Sequence, residues 1–340
     1  MTSALPESSH VASPTPDSAL TALPRRARIL TVVAFWGNLA SQIGIIVTGG
    51  VVRLTGSGLG CSTWPHCEPG QFTPRYHEEM GIRPFIEFGN RTLTLVLTVF
   101  AVLLLVTTLK YLRGKGAGFI RLAWVPLILT LLQAIVGMAV VRLHLDPSLV
   151  AFHFIVSPIL VAVSAVLVYR LYEGDGARRS ATHTGARLVY WPLAAVGFGV
   201  LMLGTIVTGS GPHSGDATKP ARFPFNPAEI AWLHADAVWL LCGLIFGMLV
   251  LLIVTKAPAA SLKALWALVG VTIIQAIIGY SQYFLGLPEL LVGLHMFGAA
   301  LFSAAVAWLG ASLYTWRPAS ADDASHAAAQ GAADAEAPTP

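Results

Sequence analysis

Residues 149–171 read LVAFHFIVSPILVAVSAVLVYRL, an apolar run in which His153 and Arg170 are the strongly polar members. An α-helix needs about 20 mainly apolar residues to cross a bilayer, so this stretch predicts a transmembrane helix. Seven more of the same kind surround it, at about 29–52, 88–111, 121–142, 188–209, 229–254, 263–285 and 290–314. The 340-residue chain as a whole is 55% hydrophobic and 11% charged, with a mean hydropathy of +0.69. An average soluble domain carries roughly 25% charged residues, so the charge needed to cover a water-facing surface is missing. A soluble globular fold is excluded, and the predicted fold class is an all-α integral membrane protein.

Eight spans put both termini on one side of the membrane. The Lys/Arg bias of short loops sets which side that is. Arg25, Arg26, Arg28, Lys110, Arg113, Lys115, Arg121, Arg170, Arg178, Arg179, Arg187, Lys256, Lys263 and Arg317 fall on the side of the tails, 14 in all; Arg53, Arg75, Arg83, Arg91, Arg142, Lys219 and Arg222 fall on the other. The tails are therefore expected in the cytoplasm, with the long loops 53–87 and 210–228 outside. The net charge of +4 reads as this topology signal, since the basic residues form no stripe of the kind that binds nucleic acid. Met1–Pro24 is rich in Ser, Thr, Pro and Ala without an apolar core, so no cleavable leader is expected. Three cysteines exclude a disulfide-dense scaffold and a four-cysteine zinc site.

The two halves of the chain repeat. QAIVG at 133–137 returns as QAIIG at 275–279, and LVAFH at 149–153 returns as LVGLH at 291–295, both 142 residues later; IVTG at 46–49 returns at 206–209, 160 residues later. Eight transmembrane helices thus read as two pseudo-symmetric four-helix bundles, related by an axis along the membrane normal. The predicted division is a disordered cytoplasmic tail at 1–28, a first half at 29–172, a cytoplasmic linker at 173–187, a second half at 188–315 and a disordered cytoplasmic tail at 316–340.

An ionisable residue within a span is costly and suggests function. Three of the ten histidines lie within spans: His153, His234 and His295. The repeat pairs His153 with His295 and Asn90 with His234. The second half therefore offers two inward histidines from two helices, a common way to hold a heme iron by axial imidazoles; the first half offers His153 and Asn90. A hydrogen-bonded core histidine is the structural alternative for each one alone. His66, His144 and His213 lie outside the spans and are weaker candidates.

The first outer loop contains CSTWPHC at 61–67. Cys61 and Cys67 read either as a structural disulfide or as a redox pair, while a metal site with His66 lacks a fourth ligand. Cys242, within a span, reads as a small core residue. Glu87 is expected to begin the second span one turn before Asn90, where it serves proton transfer or complements a helix N-terminus. Arg53, Arg91 and Arg142 at the outer boundary fit propionate pairing or interfacial snorkelling. The Gly-rich run at 49–61 follows a membrane helix, not a buried strand, so it is a poor phosphate cradle.

The run TGGVVRLTGSGLGCSTWPHC (48–67), with IEFGNR (86–91), LVAFHF (149–154), WLHAD (232–236) and GLHM (293–296), resembles the heme A synthase family over about 29–314. The resemblance implies oxidation of the C8 methyl of heme O to the formyl of heme A by two hydroxylations and loss of water, for aa3-type oxidases. It implies a heme b cofactor held through His234 and His295, a substrate heme at His153 in the first half, a catalytic carboxylate at Glu87 and a Cys61–Cys67 disulfide. Family members commonly carry a histidine where this chain has Asn90. An amide is a poor axial ligand, so Asn90 is the substrate-site residue at which this chain departs from the family.

The implied partners are heme O as substrate, heme O synthase, cytochrome oxidase assembly factors and membrane lipid, but no nucleic acid. The implied location is a bacterial cell membrane, and the electron donor and any homo-oligomer are left open. Two other functions share the histidine pattern: a bis-histidine b-type cytochrome in quinol electron transfer, and a heme-binding assembly protein.

Overall fold

The computed structural model describes residues 19–216 and 220–317. Its eight long helices are α1 (Arg25–Leu54), α2 (Arg83–Tyr111), α3 (Ala117–Arg142), α4 (Pro147–Tyr172), α5 (Thr184–Ser210), α6 (Pro227–Val254), α7 (Ala259–Phe284) and α8 (Glu289–Ser312). Each is long and apolar enough to cross a membrane, and the protein is a multi-pass membrane protein. Each also starts one to five residues before the predicted span. Hydropathy marks only the lipid-facing part, whereas a helix continues into the polar interface until a cap ends it. Asp146 supplies such a cap to α4, accepting hydrogen bonds from Ser148 N at 3.0 Å and Leu149 N at 3.2 Å. Asn226 does the same for α6 at Ala228 N, and a proline follows each cap at the first helical position. One consequence corrects the sequence reading: α2 begins at Arg83, so Glu87 lies a full turn inside the helix and not at its start.

In the first half α1 packs on α2, α2 on α3, α3 on α4, and α4 back on α1, closing a ring of four. The second half follows the same order, but its α6–α7 and α5–α8 seams are slimmer. The halves meet through α4–α8, α1–α8 and α4–α5. Exchanging the halves turns α1–α8 into α5–α4 and maps α4–α8 onto itself, the pattern that a two-fold along the membrane normal gives.

Lipid is as apolar as leucine, so hydrophobicity alone does not drive helices together in a bilayer; close packing and interhelical hydrogen bonds do. Two such bonds lie in the buried heart of the first half. Asn38 of α1 donates to Ser164 of α4 at 2.8 Å, and Gln42 of α1 donates to Thr130 of α3 at 3.2 Å. Large apolar side chains such as Trp239, Phe246 and Val254 face outward, as lipid contact allows.

The two ends of the bundle are built differently. At the tail-bearing end, β1 (Ala177–Ser180) pairs antiparallel with β2 (Tyr314–Arg317), placing Ala177 opposite Arg317. The linker between the halves and the start of the C-terminal tail are thus ordered where the sequence suggested a plain linker and a disordered tail. A helical turn, Ala19–Ala22, precedes α1, and its first N–H bonds to Asp175 at 2.8 Å. The rest of both tails lies outside the described residues. The buried Lys115 ammonium meets Asp175 at 3.0 Å and donates to the Glu173 carbonyl at 2.7 Å. Burial lowers its pKa and Asp175 opposes that shift. Above it the Arg170 guanidinium lies 3.9 Å from the Trp316 ring centre.

At the far end the four connections touch one another. Gly58 N donates to Gly215 O at 2.9 Å, and His213 bonds the Leu287 carbonyl at 2.9 Å. A Cβ on Gly58 would lie 2.9 Å from the Gly215 carbonyl oxygen, so this glycine is required by the approach of the two long outer loops.

Candidate functional site

In the second half, α6 and α8 bring His234 and His295 together, with ring centroids 6.4 Å apart and planes at 72°. The neighbouring helices leave room for them. A Cβ on Gly204 of α5 would lie 3.4 Å from the His234 ring, and one on Gly279 of α7 would lie 3.2 Å from the His295 ring. Both Nδ1 atoms are buried without a hydrogen-bond partner. Two metal–imidazole bonds of about 2 Å each, plus the two half-rings, span about 6 Å, so the spacing fits one iron between the rings. Among the described residues no three His, Cys, Asp or Glu side chains converge on a bare ion. A porphyrin supplies four of its iron's ligands and asks the protein for only two. Orphaned imidazoles, glycine cradles and ring spacing therefore all suit a heme.

The first half has the same scaffold and a different content. His153 of α4 lies over Gly137 of α3, 3.5 Å from where a Cβ would stand, and its Nδ1 is likewise buried and unpartnered. Gln133 holds that turn of α4, donating to the His153 carbonyl at 2.8 Å and the Ser157 hydroxyl at 3.1 Å. Asn90 of α2 is tied to α1 instead: its Oδ1 accepts from the Thr48 hydroxyl at 2.8 Å.

Over this half sits the loop closed by a Cys61–Cys67 disulfide, with both cysteines fully buried. The loop is coupled to α2 through Glu87 and Arg91. Cys61 N–H donates to the buried Glu87 carboxylate at 2.7 Å, and Arg91 forms an ion pair with Glu87. The Arg91 guanidinium also reaches the carbonyls of Thr63 at 2.7 Å, His66 at 3.4 Å and Cys61 at 3.5 Å. It thus reads the conformation of the seven-residue cysteine loop. In the same loop Glu68 has its carboxyl pKa lowered by a hydrogen bond from His77. A cleft of about 310 Å³ is lined by Ser62, Thr63 and Trp64 of the cysteine loop and by Val141 and Arg142 of α3.

The sequence candidates therefore sort as follows. His234 and His295 come together, and Glu87 meets the cysteine loop. Arg53 and Arg91 are not free for an anion, since Arg53 donates to the carbonyls of Thr208 and His213 and so ties α1 to the second half. Arg142 stays exposed at the cleft. His66 stacks edge-on against Phe72, and His213 serves the loop contact described above. His144 occupies the α3–α4 turn at a positive φ of 51°. The role of Arg91 as a tie was not read from the sequence, although its place four residues after Glu87, one helical turn on, is the available signal.

A family model described as a cytochrome oxidase assembly protein, COX15-CtaA, matches residues 32–221. That segment contains Cys61, Cys67, Glu87, Asn90 and His153, whereas His234 and His295 lie beyond it. Among curated proteins, the chain is 25% identical over 197 residues to a heme A synthase of Bacillus licheniformis, covering 56% of this chain and 61% of that one. It is 32% identical over 152 residues to the heme A synthase of Bacillus pumilus, covering 44% and 46%. It is 29% identical over 132 residues to that of Listeria welshimeri, covering 38% and 42%. The matches thus span between about two fifths and three fifths of the length of these relatives.

Proposed function

The chain belongs to the COX15-CtaA family of cytochrome oxidase assembly proteins, and from that premise we propose that it is a heme A synthase, an oxidoreductase converting the C8 methyl of heme O to the formyl of heme A. The observation that carries the reading is the approach of the His234 and His295 rings to 6.4 Å, set against a first half with one histidine within its spans and a buried carboxylate at Glu87. In this reading residues 188–315 hold heme b through His234 and His295, residues 29–172 receive heme O at His153, and 173–187 join them. Heme b, when bound, supplies reversible one-electron chemistry.

The residues of the chain have separable tasks. Gly204 and Gly279 leave room for the His234 and His295 rings. Gln133 fixes the turn that carries His153. Glu87, shielded from solvent and held by Arg91 and the Cys61 amide, accepts and returns a proton during methyl oxidation in this reading. Exposed Arg142 at the outer cleft offers a guanidinium to a heme propionate. The Lys/Arg asymmetry supports a bacterial cell membrane topology with both tails cytoplasmic. Heme O synthase and oxidase assembly factors are the partners this activity calls for.

The test is co-expression with heme O synthase in a host that makes no heme A, followed by extraction and separation of the hemes. Heme A is expected. Accumulation of heme O alone, with the protein present and carrying its low-spin heme, would leave a b-type cytochrome as the better reading.

A further inference from the structure

The repeat pairs Asn90 with His234, and it pairs Gly44 of α1 with Gly204 of α5. At Gly204 an imidazole lies 3.4 Å from a Cβ position, whereas at Gly44 nothing lies within 4 Å. The space that a ring fills in the second half is open in the first. A hydrogen bond explains where the Asn90 side chain goes instead. Thr48 donates to Asn90 Oδ1 at 2.8 Å; its counterpart Thr208 spends the same hydroxyl on the Gly204 carbonyl of its own helix at 2.8 Å. Oδ1 keeps a second lone pair but is held against Thr48 of α1, so away from that contact Asn90 has its amide N–H groups to offer. Those are donors, and a metal needs an electron pair. The opposite wall keeps its imidazole, since His153 retains both its glycine cradle and its unpartnered Nδ1.

We propose that the first half ligates its heme iron through His153 alone and leaves the other side open beside Gly44 for a small ligand, water or a diatomic molecule, to which Asn90 donates a hydrogen bond. The proposal rests on the reading that the first half receives heme O. A histidine at 90 would close that side, and an apolar residue would leave it open without a donor. Access and hydrogen-bond donors on the open side of a heme are what separate ligand activation from electron transfer, and the two halves differ in these features.

The experiment is absorption and electron paramagnetic resonance spectroscopy of the full-length protein in detergent, saturated with heme O, with cyanide as the probe. One low-spin heme and one high-spin, cyanide-binding heme are expected. Asn90→His should convert the high-spin signal to low-spin and weaken cyanide binding at least tenfold. Thr48→Val should retain the high-spin signal and weaken cyanide binding about fivefold, the effect of one neutral hydrogen bond. The low-spin signal of the second half reports that each variant is folded. Two low-spin hemes in the unaltered protein, or an Asn90→His spectrum that does not change, overturns the proposal while leaving the first-half heme in place. A single heme per chain at saturation, with the low-spin signal intact, overturns the first-half heme site itself and the proposal with it.

Discussion

The two halves of this protein share one helix order and differ in the polar side chains that they enclose. In the second half two imidazoles stand 6.4 Å apart over glycines, and the histidine-bearing helices α6 and α8 each lean on a neighbour whose glycine accepts the ring. In the first half one imidazole remains, its partner position is an amide tied to Thr48, and a disulfide-closed loop presses on a buried carboxylate. The difference teaches that duplicated membrane bundles diverge by exchanging single side chains at fixed backbone positions and by changing what covers the end. The helix order itself is kept.

The largest effect should come from the histidines. Replacing His234 or His295 with Ala is expected to abolish the low-spin heme signal, while His153→Ala keeps that signal and loses the second heme. A low-spin signal affected alike in all three variants, measured by electron paramagnetic resonance, would erase the proposed distinction between the halves. Next comes Glu87→Gln, which preserves shape and removes the proton acceptor; heme A formation is expected to fall about 100-fold or more with an unaltered low-spin spectrum.

Opening the Cys61–Cys67 ring by Cys67→Ser should destabilise the first half by about 2–3 kcal/mol, read as earlier thermal loss of the substrate heme while the second-half heme melts as before. Smallest is Gly279→Ala. Its Cβ at 3.2 Å from the His295 ring forces a few tenths of an ångström of movement and costs about 1 kcal/mol, seen as roughly fivefold weaker heme retention.

Much of this was legible in the sequence. Eight spans, the repeat and the trio His153, His234 and His295 follow from hydropathy and from the cost of polar groups in lipid. Helix ends were less so, because hydropathy falls off at the interface before the helix does; Glu87 moved from the start of α2 to its second turn for that reason. Arg53 and Arg91 read as boundary arginines, and only the folded loops reveal that backbone carbonyls occupy them. The strands ARRS and YTWR are four residues each and carry no clear alternation, so pairing across more than 130 residues left no local signal.

That small sheet has a consequence for biosynthesis. β1 leaves the ribosome before the second half exists, and its partner β2 emerges only after α8. Until then the linker has an unpaired edge, and Glu173 beside it awaits Thr315 and Trp316. The sheet can therefore close only once the last helix has been made, and its closure joins the linker between the halves to the chain that follows α8.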